Sequence, residues 1–205
     1  MIPKIVLQTA RNPLQPYILE ILKKFMGEGW QYEFYNDDDI KDFFKKNPLK
    51  ELPEIEKIFN SVCGQHKADL FRYYFLYIKG GVYIDSDAMV TCNLDDIIKD
   101  HSFFYVKTNE ERAFNGFIGC STNNQIMYDL LVDSYNVDLD QLGADYHLFC
   151  KNFMKILKKY KYTNIKEFQE QECIPGEVYN TIDVAENKTI LHHYYLNKII
   201  PKDLI

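Results

Sequence analysis

Asp85 and Asp87 are separated by one residue at the end of the short apolar run Val82-Tyr83-Ile84. On an extended chain such residues project to the same side. Two carboxylates held together repel, and burying them is costly without compensating positive charge. A hard divalent cation supplies it: Mn²⁺ or Mg²⁺ takes oxygen ligands and completes its shell with substrate phosphates. A bare D-x-D is also what a solvated acidic turn looks like, so the surrounding residues decide. Asp69 and Arg72 stand three apart in an apolar segment, on one face of a helix, where they pair with each other or with a polar ligand. Near the C-terminus, His192-His193 follows Thr189-Ile190-Leu191, and in a strand the two rings point to opposite faces. Only one of them therefore reaches a metal, and His192 is preferred, with His193 the alternative.

The elements that must carry these residues follow from periodicity. Leu70, Tyr73, Tyr74, Tyr77 and Ile78 recur at helical spacing, which predicts a helix from an N-cap at Ser61 to about Ile78. Gly80-Gly81 stops it, and Val82–Ile84 is a core strand that delivers both carboxylates at its C-terminal end, where ligands bind in open α/β sheets. Upstream, Lys4–Leu7 reads as a strand, Gln8–Asn12 as the loop at its end, Pro16–Met26 as a helix and Trp30–Tyr35 as a strand. The acidic run Asn36-Asp37-Asp38-Asp39 is assigned to capping of the next helix rather than to metal. Pro48 and Pro53 bracket a loop and a short helix. Downstream, Ala88–Thr91 and Phe103–Val106 are extended, and in the segment Phe114–Cys120 that follows Asn115-Gly116 is readable as a turn. Asn124–Tyr135 and Asp145–Tyr160 are amphipathic helices joined by a loop at Gln141–Ala144, and Thr189–Tyr195 is the last strand. Between Tyr160 and Thr189 no element is assigned.

The unit KADLFRYYFLYIKGGVYIDSD resembles the glycosyltransferases with a DXD sugar-binding motif. These are of the family 32 type, which includes fungal mannosyltransferases and bacterial capsule and lipopolysaccharide enzymes; the unit is also similar to the glucosylating domain of large clostridial toxins. The ordered combination is what is shared: Asp, three residues to Arg, an apolar helix, Gly-Gly, a strand, then D-x-D. Ile2–Thr9 matches the family's usual start, with Leu7 where a His often stands. The resemblance implies an α/β, GT-A-type nucleotide-sugar-binding fold, a central mixed sheet flanked by helices. It implies transfer of a hexose, with retention, from a nucleotide diphosphate-sugar (UDP-sugar favoured, GDP-mannose admissible) to a hydroxyl of a glycan, lipid or protein, in surface glycan or polysaccharide synthesis. In that scheme Asp85 and Asp87 are the catalytic pair and hold Mn²⁺ or Mg²⁺ with a C-terminal His, Asp85 also touching the ribose. Asp69 and Arg72 grip sugar hydroxyls and phosphate oxygens, and Tyr83 or a tyrosine of the central helix covers a sugar face. Gln8 and Thr9 hold the nucleotide, and Asn115, with Gly116 behind it, lines the sugar pocket. No general base is implied, since the departing phosphate takes the acceptor proton. The family's Gly-Pro is absent at Gln141–Ala144, and Asn197-Lys198 and a Pro replace a Trp-containing tail.

The 205 residues suit one domain spanning 1–205. A net charge of −6 argues against a nucleic-acid partner, but a bound cation would reconcile it with a nucleotide diphosphate. Five scattered cysteines without a C-x-x-C read as reduced and mostly buried, hence a cytoplasmic protein. The start MIPKIVLQTA lacks a signal-peptide layout, and no apolar run approaches the roughly 20 residues of a membrane span. A soluble microbial or viral enzyme is expected, and the oligomeric state is not read. The 16 Tyr and 14 Phe fit either a large aromatic core or an interface. Two rival readings are weighed. A DxD phosphatase needs its nucleophile on the first strand and Thr or Val where Met89 stands. A non-catalytic nucleotide-sugar-binding protein on the same fold leaves the shared polar residues without a task.

Overall fold

The computed structural model describes residues 1–160 and 164–194. The first half runs β1 (Ile5–Thr9), α1 (Pro16–Phe25), β2 (Gln31–Tyr35), α2 (Asp37–Lys46), α3 (Ile55–Ser61), α4 (Gly64–Lys79), β3 (Gly81–Ile84) and β4 (Ala88–Val90). The second half runs α5 (Leu94–Ile98), β5 (Phe103–Lys107), β6 (Ala113–Cys120), α6 (Gln125–Tyr135), α7 (Leu139–Ala144), α8 (Leu148–Leu157), β7 (Ile165–Ile174), β8 (Val178–Asp183) and β9 (Lys188–Tyr194). The described strands form one mixed sheet in the order β2-β1-β3-β6-β5-β7-β8-β9-β4. β1 is parallel to β2 and β3, β5 is parallel to β7, and the other neighbours are antiparallel.

This order has a geometric consequence. β3 lies near one edge and β4 forms the other, yet only Asp85-Ser86-Asp87 joins them. Four residue steps reach at most about 14 Å. The sheet must therefore curl until its far edge returns to β3, and the D-x-D is the seam.

Two cores stabilise this arrangement. Outside the curl, α4 lays Phe71, Tyr74, Phe75 and Leu76 against Phe43 and Phe44 of α2 and Leu130 and Leu131 of α6. Inside it, Val82, Ile84, Val90, Phe104, Phe117, Phe168 and Leu191 close on one another. Each fully buried side chain of this size contributes about 1.5–3 kcal/mol. The aromatic surplus is therefore core: the largest fully buried side chains are nearly all Tyr and Phe. At the end of α4, Gly80 and Gly81 take φ of +68° and +109°. A Cβ on Gly81 would stand 2.6 Å from the Ile5 carbonyl oxygen, so the turn that aims β3 requires glycine on both counts.

Several expectations are corrected. Ser61 ends α3 instead of capping α4, because buried Val62 turns extended between them; Cys63 is the N-cap of α4. Gln141–Ala144 is not a loop but part of α7, whose Asp138 caps it, and the following helix shrinks to α8. Asn115-Gly116 lies inside β6 and not in a turn. β7 and β8 fill the unassigned stretch; only Phe168 of β7 is buried, so no apolar alternation marks that strand. The five cysteines are free as expected, but Cys63 and Cys173 are exposed. Asn36 forms the predicted capping box over α2. Among the described residues no helix is long and apolar enough to cross a membrane. The Asn197-Lys198 tail lies outside the described residues.

Candidate active site

The seam gathers the polar residues singled out from the sequence. Asp85 leaves β3 with its N–H donated to the Gly116 carbonyl at 2.8 Å and its own carbonyl accepting from Gln8 Nε2 at 3.3 Å. Gln8, 1% exposed, is oriented by Tyr32, whose hydroxyl donates to Oε1 at 3.1 Å. Tyr83 donates to Asp85 Oδ1 at 2.8 Å and shares a 3.1 Å hydrogen bond with Thr9 Oγ1. Gln8, Thr9 and Tyr83 thus fix Asp85. Tyr83 offers no free face to a sugar, because the Arg72 guanidinium lies 4.0 Å above its ring centroid.

Beside them, helix α4 contributes a buried charged group. Arg72 Nη2 stands 3.4 Å from Asp85 Oδ1 and 3.6 Å from Asp69 Oδ1, and Nη1 donates to the Asn115 carbonyl. Asn115 Nδ2 donates to Asp69 Oδ1 at 3.0 Å while its Oδ1 accepts from Tyr73 at 2.9 Å. Asp69, Arg72 and Asn115 therefore form one satisfied network, as buried polar groups must. His66, 4% exposed and absent from the sequence reading, faces Asp69 Oδ2 at 3.5 Å. Tyr73, read for its helical spacing and as one of the central-helix tyrosines implied to cover a sugar, instead orients Asn115. Its position beside Arg72 is the one signal that could have marked it.

The third member of the D-x-D cluster is His193, not His192. Ligand atoms of Asp85, Asp87 and His193 all lie within 4.8 Å of one another, and His193 Nε2 is 3.7 Å from Asp87 Oδ1. Strand alternation decides between the two histidines. His192 shares a row with Asn180 and Met89 on the outer face that packs on α1, and its Nδ1 bonds Asn180 Oδ1 at 2.6 Å. His193 shares the inner face with Leu191, and its ring lies against Phe114 at 4.5 Å.

Charges here are strongly coupled. Burial pushes the Asp85 carboxyl upward and the Asp87 charge adds to this, against Arg72 and His193. Burial works against charge on Arg72 too, but Tyr83, Asp85 and Asp69 hold it above its ordinary range, so it stays cationic. For His193, burial is outweighed by Asp87, with Asp85 and Glu170 behind it, and the imidazole is raised. Two carboxylates and one imidazole within reach of one another make a donor set that fits a hard or borderline divalent cation.

On the other flank of Thr9, at the C-terminal ends of β1 and β2, a cleft of about 410 Å³ is lined by Thr9, Arg11, Tyr35, Asp37 and Lys67. Asp37 and Lys67 pair across it at 2.9 Å.

A curled mixed sheet between helices, with the D-x-D at its seam, is a GT-A-like α/β fold. The family model described as "glycosyltransferase sugar-binding region containing DXD motif" matches residues 11–104, which include Asp69, Arg72, Asp85 and Asp87. The chain is 31% identical over 137 residues to an uncharacterized glycosyltransferase of Acanthamoeba polyphaga mimivirus, covering 62% of this chain and 53% of the relative. It is 26% identical over 104 residues to inositol phosphoceramide mannosyltransferase 1 of Schizosaccharomyces pombe, covering 50% of this chain and 31% of the relative. It thus spans about half, or less, of these relatives. Among solved structures, PaToxG glycosyltransferase superposes with a TM-score of 0.52 at 13% identity over 77% of this chain and 69% of the other, a likeness of fold. Together these likenesses support a DXD glycosyltransferase.

Proposed function

We propose that this domain moves a hexosyl unit, with retention, from a UDP- or GDP-hexose to a hydroxyl acceptor in surface glycan or polysaccharide synthesis, and that it needs Mn²⁺ or Mg²⁺. The observation that carries this reading is the convergence of Asp85, Asp87 and His193 beside a buried Arg72. When bound, the cation neutralises the diphosphate and acts as a Lewis acid for its departure. The chain's own residues supply the rest. The cleft beside Thr9 takes the nucleoside, and the Thr9–Tyr83–Asp85 hydrogen bonds join that cleft to the seam. Arg72 presents a fixed positive charge whose orientation is set by Asn115 and Tyr83, so nothing reorganises as charge develops on the leaving group. Asp69 and Asn115 present oxygen and amide groups to the sugar. The acceptor oxygen bonds the anomeric carbon as the bond from that carbon to the phosphate oxygen breaks, and the acceptor proton passes to the departing diphosphate.

The uracil nucleotide is the favoured donor; the mannosyltransferase in the name of the fission-yeast relative keeps GDP-mannose beside it. The test is calorimetric titration of UDP, GDP and their sugars with Mn²⁺ or with EDTA, on wild type and Asp87→Ala. Binding of one base class that disappears with EDTA and in the variant is expected. Absence of metal-dependent nucleotide binding across the panel would remove the reading.

A further inference from the structure

Helix α4 carries one buried polar atom that the donor site leaves without a partner. His66 sits one turn before Asp69, as Asp69 sits one turn before Arg72, so the three follow one another along a face of the helix. His66 Nδ1 stands 3.5 Å from Asp69 Oδ2 and makes no hydrogen bond among the described residues. The His66 side chain is only 5% exposed, and buried polar atoms are normally paired. Its ring is also held in place: Phe149 of α8 meets it edge-on at 5.4 Å between centroids, and Tyr146 lies against it at 5.5 Å. The Asp69 carboxylate is unevenly served as well. Oδ1 accepts from Asn115 Nδ2 at 3.0 Å and faces Arg72 Nη2 at 3.6 Å, whereas Oδ2 accepts from none of the described residues. The Asp69 side chain retains 11% of its exposure, so the pair is reached from the carboxylate side.

Two open atoms 3.5 Å apart match one hydroxyl. A hydroxyl oxygen about 2.8 Å from each accepts from the imidazole N–H and donates to the carboxylate, so both of its functions are used at once. The order of contacts places that hydroxyl on the donor. In the transferase reading above, on which this inference rests, the seam holds the anomeric phosphate. From there Arg72 reaches Asp85 at 3.4 Å, Asp69 follows Arg72, and His66 follows Asp69. Each step back along α4 is about 4.5 Å, so His66 ends the row at the point farthest from the metal cluster. We infer that His66 Nδ1 and Asp69 Oδ2 clamp one hydroxyl of the transferred sugar remote from its anomeric carbon, and that His66 thereby selects the donor sugar.

Calorimetry with Mn²⁺ tests this without an acceptor. UDP-glucose, UDP-galactose and GDP-mannose are compared with their 3-, 4- and 6-deoxy analogues, and UDP and GDP without sugar serve as references. Wild type loses about 10- to 100-fold in affinity for the analogue deoxygenated at one position, and little at the others, because that deletion leaves two buried polar atoms unmatched. His66→Phe, which keeps a ring against Phe149, and His66→Leu both remove the difference between parent and that analogue. His66→Asn, whose amide nitrogen can stand where Nδ1 does, restores it. Apolar variants that bind parent and analogues more weakly by one common factor have lost packing and not a hydroxyl partner, which overturns the inference. So does a wild type that binds the deoxy series alike, or binds none of the three sugar nucleotides. Failure of wild type to bind UDP and GDP with Mn²⁺ is a different result: it removes the donor reading, and this inference with it.

Discussion

Gly116 tests whether the seam is sterically set. Its backbone needs no positive φ, so replacement by alanine asks only about space. A Cβ there would lie 2.2 Å from Asp85 Oδ2 and 2.2 Å from Phe114 Cζ. Neither neighbour gives way freely. Asp85 is held through Oδ1 by Tyr83 at 2.8 Å and Arg72 at 3.4 Å, and Phe114 is backed by the His193 ring at 4.5 Å. Relief therefore moves two members of the metal cluster at once. Overpacking of this kind costs about 1–3 kcal/mol. For a domain of this size that lowers Tm by roughly 2–12 °C. Displacing a ligand through its supporting shell weakens metal binding about 10- to 100-fold. Gly143→Ala is the control, because its Cβ meets nothing within 4 Å and it lies within α7, where alanine is the better helix former. Thermal melts with and without Mn²⁺, and Mn²⁺-dependent nucleotide titrations, read both effects. A Gly116→Ala protein with wild-type Tm and wild-type metal dependence would refute the steric account.

Two further outcomes are expected. His193→Ala lowers metal-dependent nucleotide affinity at least about tenfold, whereas His192→Ala, on the outer face beside Asn180, leaves it within about twofold; the reverse order in the same titration would show that the register of β9 is wrong. Asp183 concerns stability against pH. Burial favours its neutral form, but Lys166, hydrogen-bonded at 2.8 Å, and the Glu186 and Ala185 N–H groups outweigh this and hold the carboxyl below its ordinary 3.8. A depressed folded pKa gives stability that is present above the unfolded value and lost as pH falls through the folded one. Asp183→Asn should cost about 1–2 kcal/mol at pH 7, with the gap in urea midpoints closing below the ordinary carboxylate pKa; a gap that persists undiminished at pH 2 would contradict the linkage.

Much of the donor site was legible because its residues are local. Asp69, Arg72, Gly80-Gly81, Asp85 and Asp87 fall within one helix-turn-strand unit, where spacing alone dictates relative position. Gln8, Thr9 and Asn115 followed from the resemblance, and all three join the network. What they do there was less visible. Tyr83 reads as a platform for sugar, but only the packed structure shows Arg72 already occupying that face. Strands β7 and β8 went unread because β7 is too polar to show a strand's apolar alternation.

The choice between His192 and His193 shows why such positions resist sequence reading. Two adjacent strand residues are chemically identical here, and which one faces inward depends on the pairing of β9 with β8 and β4. That pairing is fixed by apolar contacts on both faces: Leu191 belongs with Phe168 inside the curl, while Tyr194 and Met89 belong with Ile18 and Ile21 of α1 outside it. A slip of one residue would expose Leu191, bury His192 beside Asp87 and reverse every other side chain of the strand. The ligand set is therefore decided by core packing distant from the carboxylates. The D-x-D seam can have its third member only because the sheet that begins at β3 closes on β4, three residues later in the chain.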